Sequence, residues 1–463
     1  MSFIDSYNPH LLDGVQHVHF IGCGGSGTYP LIQILHSRGL TISGSDVEET
    51  KITKAERAMG VTVYLEHDAA HLGDAQLVVY SAAIHDENPE LKAARARGIP
   101  AVERSVMLGY VSRMYSHSVC VSGTHGKTTT TSMCTHIFLA AEKDPTVMIG
   151  GTLPLLGSGY RVGQGDTIIL ESCEYCNSFL FFYPTVAVIL DVEEDHLDFF
   201  KDKADIEHSF HRFAELVPES GFVIANADNE GAMEAVRGLA HPVFTFGLAA
   251  DADCTAANLT NQDSFPTFDI LIHGERYAHV KLGIHGRHNV LNALAAASAA
   301  YLLGLPGSAV EEGLAAFRGA ARRFEYKGSF HGADIFDDYA HHPDELHALL
   351  DSVRGLGYRR TIVAFQPHTY TRTIKLFDRF VEELKRPDIA ILAEIYAARE
   401  ANTQGISSAD LCRNIPGSVY CSTLDKVTEQ LASLAQPGDL ILTVGAGDIY
   451  KVGEKLKKLE ADA

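Results

Sequence analysis

Residues 123–130 read Gly-Thr-His-Gly-Lys-Thr-Thr-Thr, follow a strand-like apolar run and precede an apolar helical pattern. In a strand–loop–helix unit of this kind, backbone N–H groups at the helix N-terminus hold phosphates. The lysine reaches the β- and γ-phosphates, and the next hydroxyl can ligate Mg²⁺. The spacing departs from the usual phosphate loop, because Val121 stands where the first glycine is expected and Gly123 comes early. The pattern still predicts a nucleoside triphosphate site centred on Lys127 and Thr128, with a fortuitous helix start as the alternative.

A second glycine turn, nearer the N-terminus, has the pattern G-x-G-x-x-G. Gly22, Gly24 and Gly27 follow the apolar run that starts at His17 and precede a helical pattern. Glycines at this spacing permit a tight turn and a close approach to a diphosphate, commonly that of a nicotinamide or flavin cofactor. Asp46, about 20 residues further on, stands where a ribose hydroxyl is bound in such sites. A turn without a ligand and a helix N-cap role for Asp46 remain the alternatives.

Acidic and imidazole side chains follow the next strand-like runs. Glu171, Glu174 and His196 each lie near an expected strand end, and parallel strands would bring those ends beside the phosphate loop. They could hold a second divalent cation, although Mg²⁺ prefers oxygen ligands. The alternatives are a helix cap for Glu171 and a solvated His196. Cys173 and Cys176 form a lone C-x-x-C without two further ligands at suitable spacing, which favours two packed thiols over a zinc site.

Three further stretches combine polar groups at helical spacing or at strand ends. Asn289 and Asn292 would present amides on one helix face, suited to an adenine edge or to an N-cap plus a packed amide. Residues 337–343 and 365–372 each follow a short strand and contain Asp, His, Tyr and Arg. Such clusters at strand ends are typical of ligand sites in α/β folds, so together they favour a binding site.

Composition limits the class of protein. The chain has 463 residues, which at about 150 per domain suggests three domains. The net charge of −21 argues against a nucleic-acid or anionic-membrane surface. No apolar run approaches the ~20 residues of a spanning helix, and the N-terminus lacks the basic and apolar regions of a signal peptide. The eight scattered cysteines suit a reducing cytoplasm, so we expect a cytoplasmic protein without nucleic-acid partners or membrane insertion.

The order of predicted elements indicates an α/β protein with mostly parallel sheets. Apolar strand-like runs alternate with helical patterns, except over Asp251–Arg287, where alternating residues and a Gly-Glu turn predict an antiparallel hairpin. No repeat of solenoid length is present. Composition and pattern place domain boundaries near residues 113 and 322. The predicted domains are residues 1–113, 114–322 and 323–463.

These motifs, in this order, resemble those of the Mur ligases, ATP-dependent enzymes that build the peptide of the bacterial cell wall. The resemblance covers essentially the whole chain and rests on ten segments, HFIGCGGSG, SGSD, GTHGKTTTT, ESCEYCNSFL, DVEEDHLD, GRHNVLNA, RRFE, DDYAHHP, FQPHTYTR and GAGD. It implies a Rossmann-like N-terminal domain for a UDP-linked substrate, a central P-loop ATPase-type α/β domain with a small antiparallel sheet, and a Rossmann-like C-terminal domain that closes over ATP and brings the amino acid.

The resemblance also implies an activity. It is greatest to the alanine-adding members, which join L-alanine to the lactyl carboxylate of UDP-N-acetylmuramate through an acyl phosphate, with ATP and Mg²⁺, in peptidoglycan precursor synthesis. The alternative is another amide ligase of the family, such as the one that recycles murein peptide. We expect a monomer or a weak homodimer.

The resemblance implies roles for residues that match the family motifs. The ATP-binding residues would be Gly123, Thr124, His125, Gly126, Lys127, Thr128, Thr129, Asn292 and Arg323. The catalytic residues would be Lys127, Glu171 and His196, and the metal ligands Thr128, Glu171 and His196. The residues for the UDP-linked substrate would be Gly22, Gly24, Gly25, Gly27 and Asp46. The amino-acid site would contain Tyr339, His341 and Arg372.

The chain departs from the commoner family pattern at three places, one of which is Ala340, where a glycine is often found. Cys173, Cys176 and Asn177 stand where acidic or small residues are frequent, and Thr369 stands where an arginine is often found. Without that arginine, Arg372 alone would hold the carboxylate of alanine.

Overall fold

Three β-sheets, each flanked by helices, account for the fold. The structure is a computed structural model that describes residue 8 and residues 10–81, 83–196, 199–249, 251–262, 265–354, 356–398 and 400–461. Residues 1–318 and 319–463 form two compact units, and the first unit contains the first two sheets. The predicted α/β class with largely parallel sheets is confirmed, while the boundaries at residues 113 and 322 stay predictions.

The first sheet has five parallel strands in the order β3-β2-β1-β4-β5. Strands β1–β5 are His17–Ile21, Thr41–Ser45, Thr62–Tyr64, Leu77–Tyr80 and Ala101–Glu103. Helices α1–α4 are Tyr29–Ser37, Lys51–Ala58, Pro89–Ala96 and Arg104–Ser112. From β1, strands β2 and β3 are added on one side of the sheet and strands β4 and β5 on the other. A crevice therefore opens between β1 and β4 at the carboxyl end of β1, where the glycine turn begins. The Rossmann-like prediction for this part of the chain is confirmed.

The second sheet has ten strands in the order β15-β14-β13-β12-β11-β10-β6-β9-β7-β8. Strands β6–β15 are His117–Ser122, Thr146–Leu153, Ser158–Arg161, Thr167–Glu171, Val186–Ile189, Phe222–Asn226, Val243–Gly247, Cys254–Gln262, Phe265–Ile272 and Glu275–Lys281. Helices α5–α9 are Lys127–Ala140, Lys203–Ala214, Glu230–Ala235, Arg287–Leu302 and Gly307–Ala316. Strand β6 lies between β9 and β10 and is parallel to both, so the three carboxyl ends meet at one edge.

The expected antiparallel hairpin is present, but it does not form a separate small sheet. Strands β13, β14 and β15 are antiparallel neighbours, and β13 pairs in parallel with β12 through Phe246–Cys254 and Gly247–Thr255. The hairpin therefore extends the edge of the central sheet.

Two hydrophobic cores cover the two faces of the central strands. In β6, Cys120 belongs to one core, and its neighbours Val119 and Val121 belong to the other. Because successive strand residues point to opposite faces, the middle of a strand buried on both sides is apolar at consecutive positions, as residues 119–121 are. The first of these cores continues into the first sheet, since α4 lies against the segment at Phe181, where a Cβ at Gly109 would be 1.9 Å from the Phe181 carbonyl oxygen.

The third sheet, in the second unit, has the order β16-β17-β21-β18-β19-β20. Strands β16–β21 are Glu325–Phe330, Ala333–Asp338, Arg360–Phe365, Ile389–Ala393, Val419–Cys421 and Asp439–Val444. Helices α10–α15 are Pro343–Arg354, Tyr370–Lys375, Phe377–Glu383, Ser408–Cys412, Leu424–Leu434 and Tyr450–Ala461. All pairs are parallel except the edge pair β16–β17. Within the described residues, no helix has both the length and the apolar character needed to cross a membrane.

Candidate functional site

The phosphate loop connects β6 to α5 and depends on two glycines in the left-handed region. Gly123 has φ 146° and Gly126 has φ 79°. A Cβ at Gly123 would lie 2.9 Å from Asp191 Oδ1, and one at Gly126 would lie 2.6 Å from Asn292 Oδ1. Both the backbone angles and the space therefore require glycine at these positions.

Hydrogen bonds to the segment that follows β10 hold the phosphate loop in place. The N–H of Thr124 donates to the carbonyl of Asp191 at 3.1 Å, and the N–H of His125 donates to Asp191 Oδ1 at 2.8 Å. The N–H of Glu193 donates to Thr124 Oγ1 at 2.9 Å. Burial raises the pKa of Asp191 to about 6. These bonds use the N–H groups of Thr124 and His125, so the start of α5, at Lys127, is the end that we expect to face phosphate.

Lys127 is the cation of this loop and forms an ion pair with Glu174. Its Nζ lies 3.1 Å and 3.0 Å from the two oxygens of Glu174 and also donates to the carbonyls of Gly123 and Thr124. Burial acts to lower the pKa of Lys127, but the charge of Glu174 outweighs it and the pKa lies above its usual value. The ammonium is therefore charged and held at the helix start by a carboxylate that phosphates would replace.

Thr128 and Glu171 form an all-oxygen pair beside this lysine. Thr128 Oγ1 donates to Glu171 Oε1 at 3.0 Å, and the N–H of Gly150 donates to Glu171 Oε2 at 2.7 Å. Glu171 ends β9 and Thr128 lies in the first turn of α5, so the neighbouring strands β6 and β9 bring them together. The helix-cap alternative for Glu171 is wrong. A hydroxyl and a carboxylate are donors that Mg²⁺ accepts, so these two residues fit that ion.

His196 lies beside Glu174. Its Nε2 is 3.7 Å from Glu174 Oε1, its ring centroid is 4.7 Å from that of Tyr175, and its backbone has φ 51°. The imidazole is therefore only partly exposed, at 31%, and lies between Glu174 and Tyr175. Glu174, which the sequence analysis named only as a possible cation ligand, connects Lys127 with His196. Spacing alone did not show which of the two carboxylates near the end of β9 faces the lysine.

The two asparagines of α8 lie against the phosphate loop. Asn292 Oδ1 accepts from Thr130 Oγ1 at 3.2 Å, and its Nδ2 donates to Asn289 Oδ1 at 3.0 Å. Both side chains are buried, and both residues lie within the helical segment. The N-cap of this helix is Gly286, so the N-cap alternative for Asn289 is wrong. The adenine role of Asn292 stays a prediction, as does the phosphate role of Thr129, which is half-buried in the first turn of α5.

The glycine turn after β1 is held by Asp46. The N–H of Gly24 donates to Asp46 Oδ2 at 2.9 Å, and a Cβ at Gly24 would lie 3.0 Å from the same oxygen. Gly22 has φ 80°. The N-cap of α2 is Thr50, which forms a capping box, so the cap alternative for Asp46 is wrong. Asp46 positions the turn, and its ribose role stays a prediction.

Arg104 adds a positive charge to this turn. A Cβ at Gly27 would lie 3.0 Å from Arg104 Nη1, whereas one at Gly25 would make only ordinary contacts, the nearest at 3.4 Å from Thr28 Oγ1. Burial lowers the pKa of Arg104. A guanidinium at a glycine turn suits a diphosphate. The sequence offered no signal for this residue, because it starts a helix far along the chain.

In the second unit, the predicted amino-acid residues gather around His368. The rings of Tyr339 and His341 are 5.4 Å apart, and those of His341 and His368 are 6.0 Å apart. Arg372 Nη1 lies 3.4 Å from His368 Nδ1. The strands that carry these residues, β17 and β18, are not neighbours, since β21 lies between them. The loops nevertheless bring the three predicted residues into one cluster.

Electrostatics leaves Arg372 as the cation of this cluster. Burial lowers the pKa of His341. Burial, together with His341 and Arg372, lowers the pKa of His368 to about 4. Both imidazoles are therefore neutral at pH 7, and the ring of Tyr396 stacks on His368 at 5.6 Å.

The two arginines at the start of the second unit have different surroundings. Arg322 Nε donates to Asp337 Oδ2 at 2.9 Å, and its Nη1 donates to the Gly447 carbonyl at 3.1 Å, which makes it structural. Arg323 has its guanidinium carbon 5.8 Å from the Tyr339 ring. The nucleotide role of Arg323 stays a prediction.

Three family models together match most of the chain. Residues 17–116 match the catalytic domain of the Mur ligase family, residues 121–300 match the Mur ligase middle domain, and residues 322–447 match the glutamate ligase domain of the Mur ligases. The chain belongs to the Mur ligase family. The prediction from the sequence motifs is confirmed.

Relatives within this family agree over almost the whole length. A UDP-N-acetylmuramate–L-alanine ligase of Clostridium novyi (strain NT) is 44% identical over 448 residues, which are 96% of this chain and 98% of the relative. The crystal structure of UDP-N-acetylmuramate-alanine ligase from Thermotoga maritima is similar with a TM-score of 0.75 at 27% identity, covering 96% of this chain and all of that one. A murein peptide ligase from Psychrobacter arcticus shares the fold, with a TM-score of 0.68 at 23% identity, covering 97% of this chain and 99% of that one.

Proposed function

We propose that this Mur ligase is an ATP-dependent ligase that joins L-alanine to the lactyl carboxylate of UDP-N-acetylmuramate in peptidoglycan precursor synthesis. The observation that carries the proposal is the 44% identity to a UDP-N-acetylmuramate–L-alanine ligase over 96% of this chain and 98% of the relative. The phosphate loop and its lysine supply the ATP chemistry that such a reaction needs.

The reaction requires activation of a carboxylate, because oxide is too poor a leaving group for an amine to displace. The carboxylate attacks the γ-phosphorus of ATP, and ADP leaves. The amine of alanine then attacks the acyl phosphate, loses a proton, and phosphate departs from the tetrahedral intermediate. The protein contributes positioning and charge neutralisation. Lys127 moves its ammonium from Glu174 to the phosphates, and the start of α5 directs N–H groups at them.

Magnesium fits the donors beside the phosphate loop. Thr128 and Glu171 would hold the ion through oxygen, and His196 would approach from the loop after β10. When bound, the ion neutralises charge on the phosphates. Thr128 and Glu171 already lie in hydrogen-bond contact, so the donor pair is organised before any ion arrives.

The other predicted site residues would bind the two remaining substrates. The turn at Gly22, Gly24, Gly25 and Gly27 would hold the diphosphate of the UDP-linked substrate, and Arg104 would balance its charge. In the second unit, Arg372 would hold the carboxylate of alanine beside the neutral His341. We further propose a cytoplasmic location, no nucleic-acid partner, and a monomer or weak homodimer.

A phosphate-release assay tests this function. The purified protein with ATP, Mg²⁺ and UDP-N-acetylmuramate should release phosphate when L-alanine is added. A murein tripeptide in place of L-alanine should give little release of phosphate. This result would distinguish the protein from a recycling ligase, which would accept the tripeptide. Lys127→Ala should abolish release, whereas Lys201→Ala, at a side chain 87% exposed, should retain it. Release that depends on the tripeptide and not on alanine would overturn the proposed substrate.

A further inference from the structure

Cys173, Glu174 and His196 form a cluster of three different metal-ligating groups. One ligand atom from each lies within 4.8 Å of the other two. Cys173 and Glu174 follow β9 and His196 follows β10, so the cluster sits at the edge where β6 begins the phosphate loop. Glu174 is 2% exposed, and the other two side chains are partly buried. The cluster is therefore a recessed, three-sided arrangement of sulfur, oxygen and nitrogen.

The geometry suits a tetrahedral ion. Zinc binds thiolate sulfur at about 2.3 Å and imidazole nitrogen or carboxylate oxygen at about 2.0–2.2 Å, which separates neighbouring ligand atoms by roughly 3.3–3.7 Å. His196 Nε2 and Glu174 Oε1 are 3.7 Å apart. The Cys173 sulfur lies within 4.8 Å of both of these atoms. Three protein ligands with one open position are the donor number of catalytic zinc sites.

We propose that Cys173, Glu174 and His196 bind a thiophilic divalent cation such as Zn²⁺, with a ligand set different from the oxygen pair of Thr128 and Glu171. Thiolate selects Zn²⁺ over Mg²⁺, and the thiol proton leaves to solvent when the metal binds. Cys176 is exposed and does not belong to this cluster, so the expectation of two packed thiols is wrong for Cys176. Cys173 therefore shares the ion with Glu174, the next residue, and with His196 from the loop after β10, and not with a second cysteine.

Occupation of this site competes with two other uses of its residues. Glu174 holds Lys127 in the ion-free protein, and a cation at Glu174 repels the nearby ammonium. His196 is also the proposed third ligand of magnesium. Zinc should therefore inhibit turnover, a consequence that rests on the proposed ligase function, whereas the binding itself does not.

Binding is tested with Co²⁺, used as a spectroscopic substitute for zinc on the metal-stripped full-length protein. Titration should produce a near-ultraviolet thiolate-to-cobalt charge-transfer band that saturates at one equivalent and disappears when Zn²⁺ is added. Cys173→Ser should abolish the band and weaken Zn²⁺ binding about 100-fold or more, whereas Cys176→Ser should leave both unchanged. Absence of a sulfur band, or a band that survives Cys173→Ser, would overturn the site.

The inhibitory consequence is measured separately, in the phosphate-release assay at saturating Mg²⁺. Zinc should inhibit the native protein and the Cys176→Ser variant alike. Each variant is compared with its own zinc-free rate, and Cys173→Ser should need about 100-fold more zinc for half-inhibition. Equal zinc sensitivity of Cys173→Ser and the native protein would overturn the inhibitory role. Failure to release phosphate under any condition would count against the ligase function and would leave the cobalt result standing.

Discussion

Glu174 shows how one side chain can organise a site that carries several charges. It is 2% exposed and accepts from Lys127 with both oxygens, while His196 lies 3.7 Å from one of them. A buried carboxylate of this kind is costly unless it is paired, so the lysine and the glutamate stabilise one another until a stronger anion arrives. The ion pair keeps the lysine charged and close to the proposed phosphate site.

Glu56 is a second buried carboxylate, and it has different surroundings. It lies on α2 behind the glycine turn with no exposed surface, and among the described residues neither of its oxygens has a hydrogen-bond partner. Burial raises the pKa of Glu56 from its usual 4.5 to about 7, with Asp46 adding to the effect and Cys23 opposing it. The neutral acid is therefore the form that the folded protein favours.

We expect Glu56 to make stability fall with rising pH. Because its pKa is higher in the folded state, its contribution is complete below pH 4.5 and is lost as pH rises through about 7. The difference of about 2.5 pKa units corresponds to roughly 3 kcal/mol. Glu56→Gln should remove this dependence, so its unfolding free energy relative to the native protein should rise by up to about 3 kcal/mol between pH 5 and pH 8.

Urea unfolding at pH 5 and pH 8 measures this difference. Glu48→Gln, at an exposed position just before the same helix, is the matched control and should track the native protein at both values. An equal effect of Glu56→Gln at the two pH values would show that the carboxyl titrates normally in the folded protein.

Among the elements, the edge where β6, β9 and β10 end brings the proposed ATP-binding residues together. Each strand is a short apolar run buried on both faces, and each ends where polar residues begin. The parallel register places Val121 opposite Glu171 and Ser122 opposite Ile189. Side chains distant in the sequence therefore meet around the start of α5, with His196 supplied by the loop after β10.

Substitutions in the glycine turn between β1 and α1 test whether this turn binds a diphosphate. A Cβ at Gly24 would press on Asp46 at 3.0 Å, so substitution there disturbs the turn itself. A Cβ at Gly25 meets only ordinary contacts, which leaves the fold intact and places a methyl group on the turn. Gly25→Ala should raise the KM for UDP-N-acetylmuramate about tenfold or more, with the KM for ATP nearly unchanged, because the diphosphate can no longer approach the backbone.

Steady-state kinetics in both substrates, with thermal unfolding as the check on folding, provides the measurement. An unchanged Tm with an unchanged KM for the UDP-linked substrate would exclude this turn as the diphosphate site. A parallel rise in both KM values would indicate a general disturbance instead.

At the scale of the whole molecule, each hydrophobic core lies within one of the two compact units. The cores that contain the first two sheets end before residue 318, and those of the third sheet begin after it. A unit with its own core can fold alone. The first unit also carries both glycine-rich loops, whereas Arg323 and the cluster around His368 belong to the second.

We therefore expect residues 1–318, produced alone, to fold and to bind UDP-N-acetylmuramate within a few-fold of the affinity of the full chain. The fragment should release no phosphate, because it lacks Arg323 and Arg372. Calorimetry and the phosphate-release assay measure the two properties. A fragment that unfolds with no cooperative transition would contradict the independence of this unit.

Features that depend on local chemistry could be predicted from the amino-acid sequence. Apolar runs that end in Gly-Lys-Thr or G-x-G-x-x-G predicted β1 and β6 and the loops after them, because glycine angles and strand burial are properties of short segments. The antiparallel hairpin and the helix near Asn289 followed from periodicity in the same way. The order of the motifs predicted the family.

Which side chains are partners could be read only from the folded chain. Glu174 pairs with Lys127, Asp46 holds Gly24, and Arg104 approaches Gly27 from a distant helix. The insertion of β21 between β17 and β18 likewise had no local signal. These contacts depend on the register and order of strands far apart in the chain, and a strand's own residues specify its burial but not the identity of its neighbours.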